Sequence, residues 1–147
     1  MATVPDRPEM DAVETHGAGT DPLRERSLDF AVRIVGASKR LRERHREFVL
    51  ADQLLRSGTS IGANLSEAVY AASRPDFLNK NKTALKECSE TLYWLALLRK
   101  CGLLSEEEAR SLWSECHQLR LMIASVCKTL ESGQRPRTLC PTKGSLP

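Results

Sequence analysis

Gln53-Leu54-Leu55-Arg56-Ser57-Gly58-Thr59-Ser60-Ile61-Gly62-Ala63-Asn64-Leu65-Ser66-Glu67-Ala68 decides the fold of this chain. The stretch has helical periodicity, yet it carries small and polar residues where a lone surface helix would carry charge. At about 100° per residue, Ala51, Leu55, Gly58, Gly62, Leu65 and Val69 share one seam, and Leu50, Leu54, Ser57, Ile61 and Ala68 lie beside it to complete a broad apolar face. On the reverse side Gln53, Arg56, Ser60, Ala63, Asn64 and Glu67 mix small residues with one cation and one anion. That composition suits a close helix contact better than open solvent, so this stripe is the expected oligomer interface. Gly58 and Gly62 each cost a helix roughly 1 kcal/mol relative to alanine. Their i, i+4 placement on the core seam predicts close backbone approach to a neighbouring helix.

Three more helices are expected around this one. The first starts near Ser27, a suitable N-cap, and runs to about Arg44 with Leu28, Phe30, Ala31, Ile34, Val35, Ser38 and Leu41 inward. A phase shift near His45 and Arg46 separates it from the second, which is expected to reach about Ala72. Ser73-Arg74-Pro75-Asp76 joins an N-cap serine, a first-turn proline and an acid, a strong start signal for the third helix. There Leu78, Asn81, Leu85, Cys88, Leu92 and Leu95 repeat at alternating three and four spacing, and Gly102 supplies the stop. Ser105-Glu106-Glu107-Glu108 is a capping box. It opens a fourth helix whose seam is Ala109, Leu112, Cys116, Leu119, Ile123, Val126 and Leu130. Short turns between helices imply antiparallel neighbours, so the fold class is all-α, an up-down-up-down four-helix bundle over residues 24–133. Residues 1–23 read as a disordered acidic arm and 134–147 as a basic flexible tail with Arg135, Arg137 and Lys143.

The order Gln-Leu-x-Arg-Ser-x-x-Ser-Ile-x-x-Asn-x-x-Glu, read with Ala84-Leu85-Lys86-Glu87-Cys88-Ser89-Glu90-Thr91-Leu92-Tyr93-Trp94-Leu95, resembles the four-helix-bundle proteins encoded in intervening sequences of bacterial 23S ribosomal RNA genes. The resemblance spans roughly Phe30 to Leu130. The group includes the accessory variability determinant of diversity-generating retroelements. It implies a homo-oligomer, a ring of five subunits, whose basic surface meets RNA or DNA, with a reverse transcriptase as a further partner in the retroelement branch. No enzymatic activity comes with it.

Composition narrows the alternatives. With 147 residues and 41% apolar content the chain fits one domain with a real core, and 5% aromatic content disfavours a β-sandwich. No apolar run approaches the about 20 residues of a membrane span, and Met1 to His16 lack the charged start and apolar stretch of a signal peptide. The expected location is cytoplasmic. Five cysteines without close pairing agree with a reducing compartment. Cys88, Cys116 and Cys127 fall on or beside apolar stripes and read as small core residues. Neither a metal site nor a cofactor is expected: Cys-x-x-Cys is missing, and adjacent Cys116 and His117 point apart on a helix. No catalytic residue stands out among His16, His45 and His117, and no glycine loop has the form of a phosphate cradle.

Net charge is +3, unevenly spread: Met1 to Asp21 holds one arginine against five acids, and the remainder 21 bases against 14 acids. The excess in the folded part has the sign of a nucleic-acid partner. Candidate phosphate contacts are Arg26, Arg33, Arg40 and Arg44, within about 40° of each other on the first helix and expected opposite its apolar face, and Lys82, Lys86 and Lys100 on the outer side of the third. A solvated face with local ion pairs to Asp29, Glu43 and Glu47 is the plainer reading of the same arginines. Glu87 and Glu90 with Trp94 read as polar partners of a neighbouring helix, with Arg56 as their cation and Asn64 and Glu67 as further members. The functional expectation is a non-enzymatic, nucleic-acid-binding oligomeric bundle; the alternative is a protein-interaction scaffold whose charge serves solubility.

Overall fold

The first helix opens on Asp21-Pro22, ahead of the expected start at Ser27. In the computed structural model, which describes residues 21–133, Asp21 is extended and its carboxylate accepts from the Leu23 amide at 3.1 Å, with Pro22 in the first turn. Proline at that position has no amide to leave unsatisfied and is preset to a helical φ. The helical unit therefore begins before residue 24. The expected acidic arm up to residue 20 and the basic tail lie outside the described residues.

Helix α1 spans Pro22–His45, α2 Val49–Ala68, α3 Arg74–Lys100 and α4 Glu106–Glu131. Each packs on its two neighbours in a closed cycle, α1 on α2 and α4, α3 on α2 and α4, and the backbones of the diagonal pairs stay further apart. This is the expected up-down-up-down bundle. The break after α1 comes from Arg46, held at φ 54, whose left-handed turn lets the Glu47 amide return to the Leu41 carbonyl at 3.2 Å. Glu47 then caps α2 by accepting from the Leu50 amide at 3.0 Å.

Ser27 lies inside α1, buried, its hydroxyl donating to the Arg24 carbonyl at 2.7 Å. The inward seam is Leu23, Ser27, Phe30, Ile34, Ala37, Ser38 and Leu41. Leu28 and Val35, expected inward, instead stand outside at 60% and 51% exposure, with Val32 between them at 65%. The small residues take the inner positions because α2 comes so close. A methyl group added at Gly58 would meet two side-chain carbons of Ile34 at 2.8 Å, and one at Gly62 would meet the Ser27 hydroxyl at 3.1 Å. The two glycines set the α1–α2 distance, and Ser38 bonds across it to the Ala51 carbonyl at 3.1 Å.

Helix α2 ends at Ala68, a turn short of the expected Ala72. The next cap pulls the chain out of the helix: Ser73 is extended and accepts from the Asp76 amide at 3.2 Å, while Asp76 accepts from the Ala72 amide at 3.0 Å. On α3 the core positions are Phe77, Asn81, Ala84, Cys88, Thr91, Leu92, Leu95 and Leu98, with Leu78 and Leu85 half-buried beside them. Gly102, at φ 71, turns the chain toward α4, whose Ser105 cap accepts from the Glu108 amide at 3.1 Å. All seven expected seam residues of α4 are buried. Cys88, Cys116 and Cys127 are buried thiols; the Cys116 Sγ lies 3.5 Å from the Cys88 carbonyl. The neighbouring Cys88 side chain, together with burial, raises the Cys116 pKa and keeps it an uncharged core group. Among the described residues no helix is long and apolar enough to cross a membrane.

Candidate nucleic-acid interface

The arginine stripe of α1 does not lie opposite the core; it lies along the seam with α4. Arg26 donates through Nε and Nη2 to Glu115 at 3.1 and 3.0 Å and through Nη1 to the Met122 sulfur at 3.4 Å. Arg33 donates to Ser111 at 2.6 Å, and Arg40 pairs with Glu108. Glu108, Ser111, Glu115 and Met122 share one face of α4 at helical spacing, so the two helices are laced along their length. Only Arg44 of the four is exposed and without a partner among the described residues. The local partners weighed from sequence account for little, since Asp29 and Glu47 pair with none of these arginines and Glu43 reaches Lys39 at 3.8 Å. The partners sit on a helix far along the chain, which spacing within α1 could not show.

Arg56 does reach α3. It pairs with Glu90 and lies 3.6 Å from Glu87, and the Trp94 indole donates to the same Glu90 oxygen at 3.2 Å. Hydrogen bonds from Arg56 and then Trp94 hold the Glu90 carboxyl below its ordinary pKa. The cluster is half-open to solvent in the single chain, with the Arg56 side chain 51% exposed. Asn64 and Glu67 belong elsewhere: Asn64 donates to the Ser60 carbonyl of its own helix at 2.8 Å, and Glu67 accepts from Lys80 of α3 at 2.6 Å. Ser60 likewise bonds back to the Arg56 carbonyl at 2.6 Å. Ala63 is exposed on the outer side of α2. The outward Leu28, Val32 and Val35 of α1 lean toward it, because Arg42, which follows Val35 by two turns on the same side of the helix, pairs with Asp52 of α2.

The outer face of α3 and α4 carries the three candidate lysines. Lys82 pairs with Glu131 at 2.7 Å, but Lys86 and Lys100 are exposed with no partner among the described residues. Across the helix pair, Arg99 and Arg110 share Glu106 at 3.1 and 3.0 Å, and Lys128 extends the same side of α4. Between them Trp113 is 41% exposed and stacked on His117, with centroids 4.9 Å apart and planes within 13°. Arg120 lies 3.4 Å from the His117 ring nitrogen. Leu95, Ala96 and Arg99 face Ala109, Arg110 and Trp113 across a groove of about 310 Å³. Sequence reasoning named the α3 lysines and missed the α4 half. The i, i+4, i+7 spacing of Trp113, His117 and Arg120 was the available signal.

The model of the 23S rRNA-intervening sequence proteins matches residues 23–125, well over half of the chain. The chain belongs to that family. A crystal structure of a protein of unknown function from the S23 ribosomal protein family of Bacteroides thetaiotaomicron is 46% identical. The match covers 73% of this chain and 99% of that one, with a TM-score of 0.72. No protein of curated function matches.

Proposed function

We propose that this family member is a non-enzymatic homo-oligomer that binds nucleic acid through backbone phosphates, and that the contact lies on the outer face of α3 and α4. The observation that carries the reading is the contrast between the two basic stripes. Arg26 and Arg40 of α1 are committed to acids of α4, whereas Lys86 and Lys100 stand exposed and, among the described residues, unpaired. Unpaired cations release counterions from a phosphate chain without first giving up a partner. Assembly supports the reading from another side. Leu28, Val32 and Val35 with Ala63 form an exposed apolar strip across α1 and α2, away from the basic face, and burying it between copies repeats the α3–α4 face around a ring. The family resemblance supports a ring of five subunits.

The test is a salt series with RNA and DNA on protein whose mass in solution has been measured. Log–log slopes of about −0.9 per phosphate on duplex DNA or −0.7 on single strands are expected, with little dependence on base sequence. In its finer form the oligomer presents an RNA template to a reverse transcriptase, which a pull-down of enzyme dependent on that RNA would read. Absence of any RNA or DNA binding at low salt, with the oligomer intact, gives the role to a protein-interaction scaffold.

A further inference from the structure

The face that carries the unpaired lysines also carries aromatic rings, and rings do nothing for a duplex whose bases are already stacked on one another. Trp113 is two-fifths exposed on a helix whose core seam is otherwise filled by Leu112, Cys116 and Leu119. Its place is therefore not dictated by the bundle interior. His117 stacks on it at 4.9 Å and Arg120 stands 3.4 Å from His117, so the indole is held on one side before any ligand arrives. It also borders the groove shared with Leu95, Ala96, Arg99 and Arg110. Tyr93, 61% exposed, lies six residues before Arg99 as Trp113 lies seven after Glu106, and the Arg99–Glu106 pair thereby places both rings at one level of the antiparallel helices. Lys86 and Lys100, each two turns from Tyr93 on α3, are exposed on either side of that level, and exposed Lys128 lies further along α4.

A prearranged ring with cations on either side is the chemistry that binds unpaired nucleotides: the base stacks on the ring and its flanking phosphates meet the cations. Resting on the phosphate-binding reading above, we infer that the ligand is a single strand, and that Trp113 is a stacking platform for one of its bases. Preordering by His117 lowers the cost of holding the indole in place when the base arrives. The specificity is for unpaired structure and not for sequence, since every base has a π face.

The experiment uses the full chain and three fluorescein-labelled probes of one length: a single-stranded oligonucleotide, its duplex, and an abasic strand that keeps the phosphates and lacks bases. Trp113→Ala should weaken the single strand about ten-fold, within the range of one stacked base, and leave the abasic strand and the duplex within about two-fold. Trp113→Phe should restore most of the loss. In Trp94→Phe protein, where Trp113 is the remaining indole, the single strand should quench fluorescence and the abasic strand should not. Circular dichroism shows whether each variant keeps its helices. Equal losses on all three probes, or no loss on any, overturn the stacking role while leaving phosphate binding in place. Failure of the wild-type protein to bind any probe at low salt overturns both.

Discussion

Replacing glycine with alanine at three positions tests whether close approach of α1 and α2 holds the bundle together. Alanine is favoured over glycine in a helix interior by about 1 kcal/mol, a gain equal at every site to first order. What differs is the space. At Gly36, an alanine methyl would meet only the end of the flexible Arg40 side chain at 3.3 Å, so Gly36→Ala should stabilise by about 0.5–1 kcal/mol. At Gly62 the neighbour is the Ser27 hydroxyl at 3.1 Å, whose displacement offsets most of the gain, and the net change should be near zero. At Gly58 the methyl would lie 2.8 Å from two carbons of Ile34, a fully buried side chain. Overpacking costs roughly 1–3 kcal/mol, so Gly58→Ala should destabilise by up to about 2 kcal/mol after the propensity gain of about 1 kcal/mol. Urea melts at one fixed protein concentration give the three values, since assembly makes stability depend on concentration. The double change Gly58→Ala with Ile34→Ala should cost less than the sum of the two single changes, because the contact is shared. A Gly58→Ala protein as stable as Gly36→Ala would refute the reasoning.

Four further outcomes are expected. Ala63→Arg should lower the mass seen by light scattering and leave the far-ultraviolet spectrum unchanged, because the residue is exposed in the single chain. Arg56→Ala should cost under about 1 kcal/mol if the half-exposed pair stays wet, and on the order of 3 kcal/mol or more if a second subunit covers it, so its melt reports burial at the interface. The Glu90 carboxyl has a lowered folded pKa, so its contribution is present above the ordinary carboxylate range and lost as pH falls through the depressed value. Acid melts below about pH 4 should show a steeper loss for wild type than for Arg56→Ala. Finally, Lys86→Glu with Lys100→Glu should weaken nucleic-acid affinity and flatten its salt slope, whereas Arg40→Ala should lower stability with little effect on affinity.

Helix number, order and most inward seams were legible because each rests on local grammar. Ser73-Arg74-Pro75 and Ser105 with Glu108 announce their helices by residues a turn apart, and the α4 seam is a single repeat of apolar side chains. Asp21-Pro22 uses the same grammar, yet its setting in an acidic stretch hid it. The errors within α1 have one cause. Leu28 and Val35 are larger and more apolar than Ser27 and Ala37, so hydropathy alone turns the helix the wrong way. What decides the rotation is the partner: Gly58 and Gly62 on α2 admit Ile34 and Ser27 and leave no depth for a second row of bulky side chains.

The same non-local logic governs the charges. A stripe of Arg26, Arg33 and Arg40 reads as free until α4 is laid beside it, when Glu108, Ser111 and Glu115 account for it. Conversely, Trp113 and His117 read as ordinary helix residues until α3 brings Lys86, Tyr93 and Arg99 to their side of the bundle. The bundle thus converts two basic stripes of similar appearance into a structural seam and an open face. Exposure of Leu28, Val32 and Val35 follows from the rotation that directs the arginines to α4, since the inner and lateral positions of α1 are then already taken. One rotation of α1, set by two glycines on its neighbour, therefore determines both which cations stay free for phosphate and which apolar strip is left for another subunit.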